Sequence, residues 1–277
     1  MKRILVALDG SQHAAAALDY TLWLAGRLGA DVIGLHVVDI VSIEGSFLHD
    51  VSGSLGFEPY LDFSSKMRDA LQERGRVILE LFERRCREAG VRCTTAIPIG
   101  VVANEICDQA RTADLIVLGH RGINERFSTG LLGSTTESVA RKAPRPVLVS
   151  PQTFAPSSRP LLAYDGSQRA SAALQAAAEL SSKLGLPLTV VHVERSSNES
   201  DAILAEARQY LESYGVTVQT RRLTGPPHQR IVDVMRDGDY DLLFIGAYGH
   251  SRIIEMVLGS TTEYVLRNTV RPVFLAR

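Results

Sequence analysis

The chain has 277 residues, of which 45% are hydrophobic and 22% charged, and its 30 Lys and Arg nearly balance its 31 Asp and Glu, for a net charge of -1. A duplex-binding surface usually carries a clustered basic excess, so this composition argues against a nucleic-acid-binding protein. No stretch approaches the ~20 apolar residues that span a bilayer, and Asp9 ends the first apolar run too early for a signal peptide; we therefore expect a cytoplasmic protein without a membrane segment.

The first half of the chain alternates short apolar runs with amphipathic segments. We predict strands at Ile4–Leu8, Asp31–Val38, Val91–Ile97, Asp114–Leu118 and Pro146–Ser150. We predict helices at Ala14–Leu28, Lys66–Ala89, Val102–Arg111 and Ser134–Lys142. This alternation indicates an α/β domain, with a five-stranded parallel sheet that is doubly wound and covered by helices on both faces.

The second half repeats the first. ILVALDGSQ near the start matches PLLAYDGSQ past the middle, LLGSTTESV matches VLGSTTEYV, and each half closes on Arg-Pro and a short apolar run. The repeat predicts two tandem domains of one fold, at 1–150 and 160–277, joined by a proline-containing linker at 151–159. The closing strands Val147–Val149 and Val273–Leu275 are apolar sheet edges that need a partner. We predict that they pair with each other as an intrachain pseudo-dimer, and a homodimer of the whole chain is a further assembly that we consider.

The first half carries a surplus of 29 residues (156 − 127), because Asp165 follows Asp9 by 156 residues whereas Gly246 follows Gly119 by 127. The surplus lies at about 42–65, where Gly and Ser alternate with Leu and aromatic residues. Two roles stay open for this insertion: a lid over a site, or a segment that packs on the neighbouring helix or the other domain.

Polar residues follow strand one of each half, where doubly wound sheets bind ligands. Asp9–Ser11 and Asp165–Ser167 are both Asp-Gly-Ser. A helix cap and a turn explain the Ser and the Gly. The carboxylate sits at the ligand edge of the sheet, so we predict that Asp9 and Asp165 contact a ligand.

Strand four of each half is followed by Gly-x-x-Gly, at Gly119–Gly122 and Gly246–Gly249, and then by a Gly-Ser-Thr-Thr-Glu run from Gly133 or Gly259. The free N–H groups and dipole of a helix N-terminus favour a phosphate, and a plain capping box is the alternative. Because both elements recur together in both halves, we favour the phosphate site.

These motifs resemble the universal stress protein family. Gly246-x2-Gly249-x9-Gly259-Ser260 looks like its ATP-binding signature, and the resemblance covers nearly the whole chain as two tandem domains. It implies an adenine nucleotide alpha hydrolase-like fold, a regulatory protein of the stress response that binds ATP, and Mg²⁺ or Mn²⁺ bridging the phosphates. The nucleotide-binding positions that the resemblance implies are Ala163, Asp165, Val193, Gly246, Gly249, Gly259, Ser260 and Thr261 in the second half, and Ala7, Asp9, Val37, Gly119, Gly122, Gly133, Ser134 and Thr135 in the first.

The two sites are not equal. Nine residues separate Gly249 from Gly259, as in the family signature, whereas ten separate Gly122 from Gly133. We therefore rank the second site above the first. His120, Arg121 and His250 lie in the same loops, and either a phosphate contact or exposure to solvent fits them.

Two strand histidines and three cysteines have ordinary structural explanations. His36 and His192 lie inside apolar strands with no second ligand nearby in sequence, so we predict core histidines rather than metal ligands. Cys86, Cys93 and Cys107 fit no zinc or redox spacing and are predicted to be buried or half-buried thiols.

Two other functions remain beside ATP-dependent regulation. One is a slow ATP hydrolase or a nucleotidyl transferase of the same fold, and the other is a dimeric scaffold that binds no nucleotide. Neither Gly-Ser-Thr turn is followed by a Walker lysine, and no general base stands near the expected γ-phosphate. We expect at most a weak ATPase and assign no catalytic residue.

Overall fold

The computed structural model describes residues 1–41, 59–123, 132–194, 200–247 and 259–277, and it describes the side chains of all of these except 59–64. The strands of the described part are β1 Arg3–Ala7, β2 Asp31–Leu35, β3 Val38–Asp39, β4 Cys93–Ala96, β5 Ile99–Gly100, β6 Leu115–Gly119, β7 Val147–Ser150, β8 Pro160–Ala163, β9 Leu188–Glu194, β10 Val218–Thr224, β11 Leu242–Gly246 and β12 Val273–Ala276. The helices are α1 Gln12–Leu28, α2 Pro59–Glu88, α3 Val102–Gln109, α4 Ser134–Lys142, α5 Gln168–Leu184, α6 Ser200–Ser213, α7 Pro227–Asp237 and α8 Ser260–Asn268. None of the helices described is both long enough and apolar enough to cross a bilayer.

Ten of the described strands form one sheet in the order β10-β9-β8-β11-β12-β7-β6-β1-β2-β4. Within each half all neighbours are parallel. The strands of a half stand in the spatial order third, second, first, fourth, fifth. The order reverses between the first and fourth strands, which makes each half a doubly wound sheet as the sequence predicts.

The two halves meet at β7 and β12, which pair antiparallel. Val273 lies opposite Val149, Phe274 opposite Leu148 and Leu275 opposite Val147. The predicted pairing of the closing strands is thus present, and it turns two exposed sheet edges into interior strands.

Alternate residues of the strands pack into two hydrophobic layers, one on each face of the sheet. Ile4 and Val6 of β1 belong to one layer, and Leu5 belongs to the other. Each layer contains residues of both halves, so the core continues across the β7–β12 junction.

The Asp-Gly-Ser turns start the first helix of each half in the same way. Ser11 Oγ accepts a hydrogen bond from Ala14 N at 3.1 Å, and Ser167 Oγ accepts one from Ala170 N at 3.2 Å. Gly10 has φ 84° and Gly166 has φ 75°, a conformation that costs glycine little and other residues more. The duplicated sequence therefore builds the same turn twice.

Strand two of the first half is shorter than predicted, because β2 ends at Leu35 and β3 begins at Val38. β3 pairs with β5 in a separate two-stranded ribbon. The segment between β4 and β5 contains Pro98, which has no N–H to donate. The ladder between β2 and β4 therefore stops after Ala96. The second half has no proline there, and β9 pairs with β10 without a break from Leu188 to Glu194.

The long helix of the first half begins earlier than predicted, at Pro59 rather than Lys66. Proline suits the first turn of a helix, where its missing N–H would have no intrahelical acceptor. Part of the predicted insertion at 42–65 is therefore helical. Residues 42–58 of the insertion lie outside the described part of the chain, so its two roles stay predictions.

Candidate functional site

A cavity of about 510 Å³ opens at the carboxyl ends of β1, β2 and β6 in the first half. It lies at the point where the strand order reverses, as expected for a ligand site of this fold. The first-half positions predicted from sequence all line it: Ala7, Asp9, Val37, Gly119, Gly122, Gly133, Ser134 and Thr135. The fold thus gathers these eight residues from four separate stretches of sequence around one space.

Asp9 organises one side of this cavity. Its Oδ1 accepts a hydrogen bond from Ser11 N at 2.9 Å, and its Oδ2 accepts one from Ile123 N at 2.8 Å. Arg74 of α2 donates to the backbone oxygen of Asp9 at 3.2 Å. The carboxylate therefore ties the turn after β1 to the loop after β6.

The Gly-x-x-Gly loop passes close to this carboxylate. A Cβ on Gly122 would lie 2.8 Å from Asp9 Oδ2, and one on Gly119 would lie 2.6 Å from His13 Cβ. Both distances are shorter than van der Waals contact. Glycine at these positions lets the loop lie against α1 and the turn after β1.

The N-terminus of α4 also lines the cavity. Ser134 and Thr135 line it, and Gly133 N donates to His120 O at 3.1 Å. Thr136 Oγ1 donates to Gly119 O at 2.7 Å, which fixes the helix start against the end of β6. The Gly-Ser-Thr-Thr-Glu run predicted the Thr136 hydroxyl as a phosphate contact together with those of Ser134 and Thr135, whereas the structure uses it for this backbone bond.

The lining of the cavity combines apolar and charged side chains. Leu71 of α2 and Val102 and Ile106 of α3 supply the apolar side, a contribution that the motifs gave no sign of. Arg74 and Arg121 bring positive charge. Such a lining suits a ligand that has both an apolar part and an anionic part.

The second half places its predicted residues in equivalent positions. Ala163 and Gly246 end β8 and β11, Val193 lies near the end of β9, and Gly259 immediately precedes α8, whose first residues are Ser260 and Thr261. Asp165 Oδ1 accepts from Ser167 N at 3.0 Å, like Asp9. Thr262 Oγ1 donates to Gly246 O at 3.3 Å. Gly249 and His250 lie outside the described residues, so the higher rank of this site stays a prediction.

The strand histidines are structural, as predicted. Each is 8% exposed, and Nδ1 lies 2.7 Å from Leu8 O in His36 and 2.9 Å from Tyr164 O in His192. A carbonyl oxygen can only accept, so Nδ1 is the donor in both. No cluster of three or more His, Cys, Asp or Glu suited to a metal occurs in the part of the chain that the structure describes.

The cysteines are buried or half-buried, also as predicted. Burial, together with neighbouring Cys93, raises the pKa of Cys86 to about 12. Cys86 is therefore a thiol at neutral pH, and thiols are far weaker nucleophiles than thiolates.

Among the described residues of the second half, one side chain also lines the cavity of the first. Arg267, in the last turn of α8, lies 3.7 Å from Glu137 Oε2 of α4 and 2.8 Å from Glu263 Oε1 of its own helix. His120 Nε2 hydrogen-bonds Leu266 O, so this loop histidine serves the contact between the halves. The repeated motifs within each half give no sign of a contact between the halves.

Comparison with known proteins agrees with this architecture. The model of the universal stress protein family matches residues 1–151 and 158–277. A universal stress protein of Synechocystis is 33% identical over the full length of both chains. One from Mycolicibacterium smegmatis is 26% identical over 99% of this chain and 96% of its own. The crystal structure of a universal stress protein from Archaeoglobus fulgidus has a TM-score of 0.77 at 23% identity, covers 99% of this chain and 96% of its own, and shows the same fold.

Proposed function

The chain belongs to the universal stress protein family, and from that premise we propose that it is a regulatory protein of the stress response that binds ATP. The observation that carries this proposal is the first-half cavity, which is lined by all eight first-half positions that the family resemblance implies. Its volume of about 510 Å³ lies within the range of small-molecule sites, roughly 300–1,000 Å³.

The chemistry of the cavity orients the nucleotide. The adenine base lies on the apolar side, near the backbone of Ala7 and beside Val37. Asp9 is close to the ribose and the phosphates, and the phosphates meet the N–H groups of α4 and the hydroxyls of Ser134 and Thr135. Mg²⁺ or Mn²⁺ enters with the nucleotide, since hydroxyl and phosphate oxygens are the ligands that these cations prefer.

We extend the proposal to the second half, where Asp165, Gly246 and Gly259 stand at equivalent positions. The two domains are 1–150 and 160–277 with a linker at 151–159. The protein acts in the cytoplasm, and two chains form a homodimer as a further assembly. Binding changes the relation of the two domains, which is how ATP would act as a signal.

A slow ATPase or nucleotidyl transferase remains the second candidate, because the proposed phosphate site has the Asp9 carboxylate and the Ser134 and Thr135 hydroxyls in the same cavity. A single-turnover experiment with Mg²⁺ separates it from the first. A regulatory site releases intact ATP, whereas hydrolysis releases ADP and phosphate, and nucleotidyl transfer to an acceptor releases pyrophosphate. A scaffold that binds nothing is the third candidate, supported by the buried pairing of β7 and β12.

Calorimetric titration with ATP tests binding directly. We expect ATP affinity in the unmodified protein and its loss from the second site in Gly259→Asp, because an added carboxylate opposes the phosphates. Gly259 has φ -58° and ψ 138°, so the change brings no left-handed strain. Gly259→Ala is the matched control, since the nearest described atom to its new Cβ is Thr262 Oγ1 at 3.8 Å. Absence of ATP affinity in the unmodified protein would leave only the scaffold.

A further inference from the structure

Helix α8 of the second half reaches the ligand cavity of the first. Arg267 is the residue that lines it, at the end where Ser134, Thr135 and Glu137 of α4 also lie. This end is where the preceding proposal places phosphates. A second-half cation therefore stands at the anionic end of the first-half site.

The guanidinium of Arg267 is only partly engaged. Its Nη2 is 2.8 Å from Glu263 Oε1 but 3.7 Å from Glu137 Oε2, which is too long for a hydrogen bond. Its Nε is buried and has no hydrogen-bond acceptor among the described residues. A buried donor without an acceptor costs free energy, so the present contacts leave the guanidinium incompletely satisfied.

Charge also favours a phosphate over Glu137 as the partner of Arg267. Glu137 carries a single negative charge, and a terminal phosphate carries more and presents three oxygens. Arginine can bind a phosphate through two parallel N–H donors. Glu137 makes no such paired contact, because its Oε2 lies 3.7 Å from Arg267 Nη2.

We infer that Arg267 contacts the terminal phosphate of the nucleotide in the first-half site, supplied across the boundary between the halves. This inference rests on the proposed function. It makes the first site complete only when the two halves are paired. It also gives the bound phosphate a direct contact with α8, whose Leu266 carbonyl accepts from His120 of the Gly-x-x-Gly loop.

The test compares Arg267→Gln with Arg267→Lys and with Arg236→Gln. All three carry Gly259→Asp as well, a background in which only the first site is left to bind ATP. Arg236 is a matched control for lost charge, because its side chain is 68% exposed on α7 and does not line the cavity. Calorimetry measures ATP and adenosine binding, and thermal unfolding checks each variant.

We expect Arg267→Gln to weaken ATP about tenfold or more, the usual scale for a charge-assisted hydrogen bond, and to leave adenosine affinity unchanged. Arg267→Lys keeps the charge and should recover part of the ATP affinity, while Arg236→Gln should match the background. Equal ATP affinity in Arg267→Gln and Arg236→Gln overturns the inference while the proposed function stands. An equal loss of ATP and adenosine also overturns it, since Arg267 would then act only on the fold. If ATP binds neither the background nor the unmodified protein, the proposed function itself fails.

Discussion

His36 and His192 show that the surroundings of a residue, and not its type, decide its role. His36 directly follows β2 and His192 lies within β9. Each ring donates from Nδ1 to the backbone oxygen of the residue that follows strand one of its half, Leu8 or Tyr164. The bond satisfies a buried polar group and ties together the two strand ends beside the predicted base position. Because strand and partner are both duplicated, the same bond forms twice.

Gly34 is a residue whose side chain is excluded by packing rather than by backbone conformation. A Cβ there would lie 2.5 Å from the ring of Phe82, which is fully buried on α2. We expect Gly34→Ala to lower the free energy of unfolding by about 1–3 kcal/mol, the cost of overpacking a core. Chemical denaturation with a constant m-value measures the change.

Gly26→Ala is the control for this prediction. Gly26 lies within α1 with nothing inside 4 Å of a new Cβ. Alanine there should raise the free energy of unfolding by about 0.5–1 kcal/mol, because it loses less entropy in a helix. Equal effects of the two changes would show that Phe82 moves aside and that the close approach is not required.

Whole elements followed largely from sequence pattern, and their ends did not. The apolar runs of β1, β6 and β7 were predictable because strands buried on both faces need only apolar residues. The break between β2 and β3 was not predictable from its own residues, because its cause is Pro98 in the segment between β4 and β5. The start of α2 at Pro59 was missed because the aromatic and glycine content of 42–65 outweighed one proline at a favourable position.

The first helix of each half depends on its cap. Ser11→Ala and Ser167→Ala each remove the acceptor of one N–H at the helix start, Ala14 N or Ala170 N. Each change should cost about 1 kcal/mol of stability, and the double variant should lose the sum, since the two caps share no partner. Equilibrium unfolding of the three variants measures this.

Aspartate is the rescuing control for these caps, because its carboxylate also accepts from the helix N–H groups. Ser11→Asp and Ser167→Asp should keep most of the stability that alanine loses. A loss as large as that of the alanine variants would mean that the hydroxyl does more than cap the helix.

At the scale of the whole molecule, the repeat made the pairing of the closing strands predictable, because an apolar edge must be covered. The same repeat hid Arg267. Its place in the first cavity depends on the antiparallel register of β7 and β12, which brings α4 and α8 together. A contact between residues so far apart in sequence follows from this register and from no local pattern.

Because the two halves share one sheet, we expect them to unfold together, whereas two separate domains would unfold independently. Leu148 and Phe274 face each other at the junction, and both hydrophobic layers run through it. Unfolding one half would expose the closing strand of the other, so we expect one cooperative transition in scanning calorimetry, with equal calorimetric and van't Hoff enthalpies.

Leu148→Ala should lower the stability by about 2–5 kcal/mol and move that single transition to lower temperature. Val270→Ala, at a position 82% exposed, should leave it in place. Two resolved transitions in the unmodified protein, or a Leu148→Ala shift confined to one of them, would mean that the halves fold independently and that the pairing of β7 with β12 adds little to stability.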